Sequence, residues 1–114
     1  MTEGDIVLVP LSQADGQLKA RPGLVLRNLP PFNDLLVCGI STQLHQEAKG
    51  FDDIIATDDA DFADSGLRAT SLIRLGFLGV VPIQVIMGSI GTVDPNRHQK
   101  LLQRLADYLT QNVT

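Results

Sequence analysis

Six short runs rich in Val, Ile and Leu, each cut off by Gly, Pro, Asn or Asp, hold most of the apolar residues of this chain. They are "DIVLVPL" (5–11), "GLVLRNL" (23–29), "LLVCGIS" (35–41), "DDIIAT" (52–57), "TSLIRLGFLGVV" (70–81) and "QVIMGSIGTV" (84–93). β-branched runs bounded by turn residues read as strands. Several are apolar on both faces, as strands enclosed in a barrel or covered by a partner would be. No helical period separates them, so an antiparallel meander or small barrel fits better than βαβ units. The last segment, "VDPNRHQKLLQRLADYLTQNV" (93–113), is different. Asp94 is a candidate N-cap, Pro95 suits the first helical position, and Leu101, Leu102, Leu105, Tyr108 and Leu109 recur at helical spacing. The expectation is a mainly β fold with one amphipathic C-terminal helix, in a single domain spanning 1–114.

Composition narrows the classes of function. A chain of 114 residues, 44% of them apolar, can bury a core of its own. The net charge of −4 argues against bulk electrostatic binding of nucleic acid, which rests on Lys and Arg. A local basic cleft stays compatible with that charge, because steering depends on where charges sit. Cys38 is the one cysteine, so no intramolecular disulfide can form, and its apolar neighbours predict a buried thiol. "MTEGDIVLVP" lacks the features of a signal peptide, and no apolar run is long enough to span a membrane. The expectation is a soluble cytoplasmic protein.

Candidate chemistry starts at "KARPGLVLRNLP" (19–30), where Pro22 keeps Arg21 extended at the mouth of an apolar strand. A solvated arginine at a strand edge would account for Arg21 equally. Arg74 lies within an apolar strand, where a charge must snorkel or pair. An ion pair with Asp5, Asp58 or Asp64 is one possibility and a role at a site is the other. Two polar loops, 12–20 and 42–51, stand out, the second carrying His45 and Lys49. His98, in the first helical turn, reads as solvated. The acidic run "DDADFADSG" (58–66) lacks the ligand spacing and terminal Glu of a calcium loop and reads as a polar loop.

The segment order resembles the PemK/MazF family of toxins from bacterial toxin–antitoxin pairs. The likeness rests on "GDIVLVPL" (4–11), "RPGLVL" (21–26), "LLVCGIST" (35–42), "GLRATSLIRLGFLGVV" (66–81) and "GSIGTVD" (88–94). It implies a small SH3-like antiparallel barrel, of the PemK/MazF/CcdB type, with a C-terminal helix. It further implies a homodimer that cuts single-stranded RNA without a metal or other cofactor and is blocked by an antitoxin protein. By the same likeness Arg21, before proline, is a catalytic residue. Ser41, with Thr42 adjacent, matches the catalytic Ser or Thr ending the third strand, and Arg74 matches a further arginine. The aspartate that accompanies that arginine in some members falls on Gly76. The first loop lacks the acidic-glutamine-glycine pattern common before the "RP" pair.

Cleavage through the 2′-OH needs a proton acceptor, a cation for the phosphorane and a proton donor for the leaving 5′ oxygen. Arginine suits the second task, since its planar fork holds two phosphate oxygens and stays charged. Ser41 or Thr42 could hydrogen-bond a phosphate oxygen. No carboxylate stands where a base is expected, and His45 is the histidine of the candidate loop. Lys19, Arg27 and His45 are the candidate RNA contacts around the catalytic set. Two other functions stay open: a degenerate relative that binds RNA or a peptide without cutting, and a gyrase-poisoning toxin of the same fold. The second is disfavoured because "LTQNVT" (109–114) offers no apolar anchor beyond the helix.

Overall fold

A computed structural model describes residues 1–12 and 15–111 of the chain. Six strands form one sheet: β1 (Asp5–Ser12), β2 (Leu18–Leu29), β3 (Asp34–Ser41), β4 (Asp53–Ile55), β5 (Ser71–Val81) and β6 (Gly88–Thr92). Their order is β4-β5-β3-β2-β1-β6 and every pairing is antiparallel. The small barrel expected from the sequence is thus a six-stranded half-barrel. A one-turn helix α1 (Phe62–Ser65) precedes β5, and α2 (Pro95–Thr110) follows β6. Residues 13 and 14 of the first loop and 112–114 of the "LTQNVT" segment lie outside the described residues. Among the described residues, no helix is long and apolar enough to cross a membrane.

Two strand limits differ from the sequence reading, and both differences trace to proline. β2 starts at Leu18 rather than Gly23, because Leu18 to Pro22 pair with β1. A proline inside a strand is tolerated where one side has no partner. Pairing of β2 with β3 starts at Gly23↔Gly39, so Pro22 stands where β2 is bonded to β1 alone. The run 84–93 is not one strand. Pro82 opens a 3₁₀ turn over Ile83–Val85, and β6 begins only at Gly88.

Alternation along the strands divides the apolar residues between the two faces of the sheet. Ile6, Leu24, Leu26, Cys38, Ile40 and Leu75 form one core with Leu101 and Leu105 of α2. Val7, Val25, Leu35 and Val37 form a second on the opposite face, with Val9, Val81 and Ile86 against it. Each fully buried Leu or Ile contributes about 1.5–3 kcal/mol. Burial pushes the Cys38 thiol up to about 12, so it stays a neutral, inert side chain.

Arg97 locks α2 onto the acidic run. The Asp94 side chain caps α2 by accepting from Asn96 N at 2.7 Å, and Arg97 follows in the first turn. Its guanidinium grips Asp61 with two bonds of 2.8 and 3.0 Å and also reaches Asp53 at 2.7 Å and Asp59 at 3.0 Å. Asp61 accepts a further bond from Asp94 N. The run 58–66 is therefore a helical turn organised around a buried cation, not a free polar loop. Its partner lies 36 residues away in sequence, beyond the reach of local pattern. His98 also departs from the solvated reading: its ring Nε2 stands 2.9 Å from the Leu26 carbonyl, half-buried. A carbonyl can only accept, so that nitrogen carries the proton.

The hydrogen bonds from Arg97 hold the Asp61 carboxyl down at about 2. A carboxylate depressed in the folded state contributes stability that is fully present above its unfolded value and lost as pH falls through the folded one. Stability should therefore decline between about pH 4 and pH 2. Arg97→Ala strands the buried Asp61 carboxylate and should cost about 3 kcal/mol at neutral pH. It should also flatten the acid limb. Urea unfolding at a series of pH values, for both proteins, reads both effects.

Candidate active site

The cavity lies where β2 and β3 part company. Its lining includes Leu8, Arg21, Pro22, Gly39, Ile40, Ser41, Thr42, Gln43, Arg68, Arg74 and Phe77, and it encloses about 640 Å³. Gly23 faces Gly39 and Gly39 faces Arg74, so β2, β3 and β5 run side by side with Gly39 in the middle. Extending the β2–β3 register by two residues brings Arg21 opposite Ser41. Arg21, Ser41 and Arg74 then share one face with Val25 and Val37, because side chains alternate along a strand. Leu8, Pro22 and Ile40 belong to the opposite face. The cavity is thus a slot around the open end of the β2–β3 pair, with walls from both faces of the sheet.

Two glycines allow close packing at the slot. A Cβ on Gly39 would stand 2.6 Å from Cδ2 of Phe77, so the phenyl ring occupies the space that a side chain would fill. A Cβ on Gly23 would stand 2.5 Å from a Val37 methyl. Between Cys38↔Leu78 and Gly39↔Arg74 the β5 strand carries three extra residues, a wide bulge that swings Phe77 over Gly39. The Arg74 guanidinium rests over that ring, 5.3 Å from its centre. Such a cation–π contact orients the arginine without neutralising it.

The charges of the site are all of one sign. Arg21, Arg68 and Arg74 line the slot, and no carboxylate stands among the lining residues. The other three arginines are engaged elsewhere: Arg27 with Glu3 at 3.0 Å, Arg97 with Asp53, Asp59 and Asp61, and Arg104 with Asp53 at 3.8 Å. Among the described residues, Arg21, Arg68 and Arg74 have no ion-pair partner. In particular, Arg74 pairs with none of Asp5, Asp58 or Asp64. Ser41 Oγ accepts from the backbone N–H of Gln43 at 3.0 Å, which fixes the hydroxyl and leaves its own hydrogen to donate. Ser71, also in the lining, donates its hydrogen to the Ala69 carbonyl at 2.8 Å.

Of the residues singled out from sequence, the fold brings Arg21, Ser41, Thr42 and Arg74 together. Lys19 is exposed near the start of β2, Arg27 is tied to Glu3, and His45 is exposed in the 3₁₀ turn Leu44–Gln46; none of the three lines the slot. Gly76 does not line it either. A Cβ there would point toward Phe51, in the groove beside Tyr108, so an aspartate at that position would start away from the arginines. Arg68 was missed. It sits in the loop between α1 and β5, and its one signal was an arginine between "GL" and the strand. Among the described residues no cluster of three His, Cys, Asp or Glu is disposed to hold a metal ion. What the slot offers is three arginines and a hydroxyl on its walls, groups that can hydrogen-bond the oxygens of an anion.

The comparisons with known proteins give a family and a fold. The family model described as PemK-like, MazF-like toxin of type II toxin–antitoxin system matches residues 2–109. Among solved structures the chain is similar to the Mycobacterium tuberculosis toxin MazF-mt6, with a TM-score of 0.69. The two share 18% identity, and the match covers 96% of this chain and 99% of that one. At this identity the likeness is one of fold. No curated protein sequence matches the chain.

The Phe77 ring makes the slot sensitive to one carbon atom. Gly39→Ala should displace the ring and release Arg74 from it, because the added methyl claims the ring's position. The melting temperature should fall by only a few degrees, as the edge of a half-exposed ring can move. Aromatic NMR resonances of Phe77 should shift strongly, while those of Phe62 stay in place.

Proposed function

The chain belongs to the family of PemK-like, MazF-like toxins of type II toxin–antitoxin systems, and from that premise we propose that the slot cuts single-stranded RNA. The observation that carries this reading is the convergence of three unpaired arginines in a protein of net charge −4. An acidic chain with half of its arginines in one cavity, without ion-pair partners among the described residues, is suited to phosphates there.

In the proposed reaction the ribose 2′ oxygen attacks the adjacent phosphorus. The new 2′-O–P bond forms as the P–O5′ bond breaks, leaving a 2′,3′-cyclic phosphate and a free 5′ hydroxyl. The 2′ proton departs to water and the 5′ oxygen takes one up. Negative charge on the phosphorane oxygens is met by the forks of Arg21 and Arg74, held in place by a strand and a phenyl ring. Preorganised cations aimed at developing charge lower a barrier by several kcal/mol. The Ser41 hydroxyl, fixed by its bond from Gln43 N, donates to a further oxygen, with Thr42 beside it. Lys19, Arg27 and His45 lie outside the slot and would meet RNA only beyond the cleaved bond. The site needs no metal or cofactor for these steps. The degenerate reading, binding without cutting, keeps the same site and differs only in turnover.

The family implies an antitoxin. A partner with an acidic segment would compete with RNA for the same arginines. A second copy of the chain is the other proposed partner. Phe77, Leu78, Val80, Ile83, Val85 and Met87, from the second half of β5 and the turn after it, are all exposed. Exposed apolar side chains in this number suit an interface, and a twofold pair would bury those that share a face on both protomers. This working place of the protein is the cytoplasm, where RNA and antitoxin are met.

Arg21→Ala should lower cleavage of a long single-stranded RNA by about 10²–10³ or more, in EDTA. Its melting curve should stay within about 0.5 kcal/mol of wild type, because Arg21 is exposed. Arg21→Lys should fail as well, since a point charge does not replace a fork. Full activity in Arg21→Ala would reject the assignment. For the assembly, sedimentation at micromolar concentration should give a dimer, and Val80→Asp a monomer.

A further inference from the structure

Arg68 is the one arginine of the slot without a task in the cleavage chemistry, and its surroundings are built. Its loop, residues 66–70, is pinned at both ends. Gly66 ends α1 in the left-handed conformation, with φ 74°, and Ser65 Oγ accepts from Leu67 N at 3.1 Å. At the far end Thr70 Oγ1 accepts from Thr57 N, and Ser71 Oγ donates to Ala69 O. The loop is also jammed against β6. A Cβ on Gly66 would collide with the Ile90 carbonyl, and one on Gly91 with the backbone of Asp64 and Ser65. So much fixation leaves Arg68 exposed at the apex of a rigid loop, with no acidic partner among the described residues.

The position of that loop sets what Arg68 can reach. Leu67 packs against the core shared with α2, so the loop approaches the slot from the Leu24–Ile40 side of the sheet. Arg21 and Arg74 approach from the other side. An arginine arriving from the opposite wall is placed for a phosphate other than the one that Arg21 and Arg74 would hold.

We propose that Arg68 grips a phosphate next to the one that is cut, as a substrate-positioning residue. This rests on the reading of the slot as an RNA site. The contact holds the chain in register and exists before and during the reaction alike. Interactions of equal strength in ground and transition states act on KM and leave kcat unchanged.

The test compares wild type, Arg68→Ala, Arg68→Lys and Arg21→Ala on a single-stranded oligoribonucleotide. Cleavage rates and binding anisotropy are measured over a range of salt concentrations. Arg68→Ala should raise KM about tenfold with kcat unchanged. Its plot of log affinity against log salt should be shallower by about 0.7, the loss of one phosphate contact on a single strand. Arg68→Lys should restore most of both, because a non-reacting phosphate accepts a point charge. If wild type cuts and Arg68→Ala keeps its KM and salt slope, the positioning role is wrong while the nuclease reading stands. If kcat falls in Arg68→Ala as it does in Arg21→Ala, Arg68 serves the reacting phosphate and the neighbouring-phosphate role is overturned. If wild type binds without cutting, the nuclease reading fails and the slope still decides for or against Arg68. If it neither binds nor cuts, both readings fall together.

Discussion

The two-bond grip of Arg97 on Asp61 is the contact on which the rest of the molecule turns. It joins the start of α2 to the segment before α1, and the same guanidinium draws in Asp53 from β4 and Asp59. A buried pair of this kind adds less to stability than its Coulomb attraction suggests, because both partners lose water. Its larger effect is on placement. Lys100 and Arg104, further along α2, also lean on Asp53, so one end of the fold collects carboxylates and cations into a neutral knot. The acids gathered there are not at the β2–β3 opening. The arginines at the opening stay without counter-charge, and the field in the slot stays positive in a protein whose total charge is negative.

Strands, helix and the glycine-bounded turns were legible in the sequence because they follow from local chemistry: β-branched runs, Asp94 as a cap, Pro95 behind it, and a leucine stripe. Arg21 was legible too, through its proline. What escaped was whatever depends on residues far apart in the chain. The acid run looked like a solvated loop until Arg97 was placed against it. His98 looked free until the Leu26 carbonyl met its ring. Arg74 lay open between an ion pair and a site, and the deciding neighbour, Phe77, reaches it only because β5 bulges by three residues over Gly39. Arg68 carried only a faint signal, since a loop arginine acquires meaning from the wall that it faces.

Proline and glycine divide the labour around the slot. Pro22 is compatible with β2 only where β3 has left it, and the pair Gly23–Gly39 marks the last rung before the strands separate. These residues make an opening in a sheet without loosening the sheet, since the cores on either face continue beneath it. Residues placed on such strand ends inherit the stiffness of the ladder, which suits groups that must meet a phosphate at fixed angles.

Phe77 belongs to two surfaces at once. One edge of its ring closes the slot over Gly39 and carries Arg74; the rest of the ring is half-exposed at the surface. Anything that settles on its exposed side would restrain the ring, and so would anything that engages Arg74. Two events that order the same side chain share its entropy cost, so the first makes the second easier. Thermodynamic linkage makes this reciprocal: the factor by which a subunit contact tightens the hold on an anion is the factor by which the anion tightens the subunit contact. If the proposed subunit contact and anion both reach it, a single phenyl ring would let assembly and occupancy report on each other.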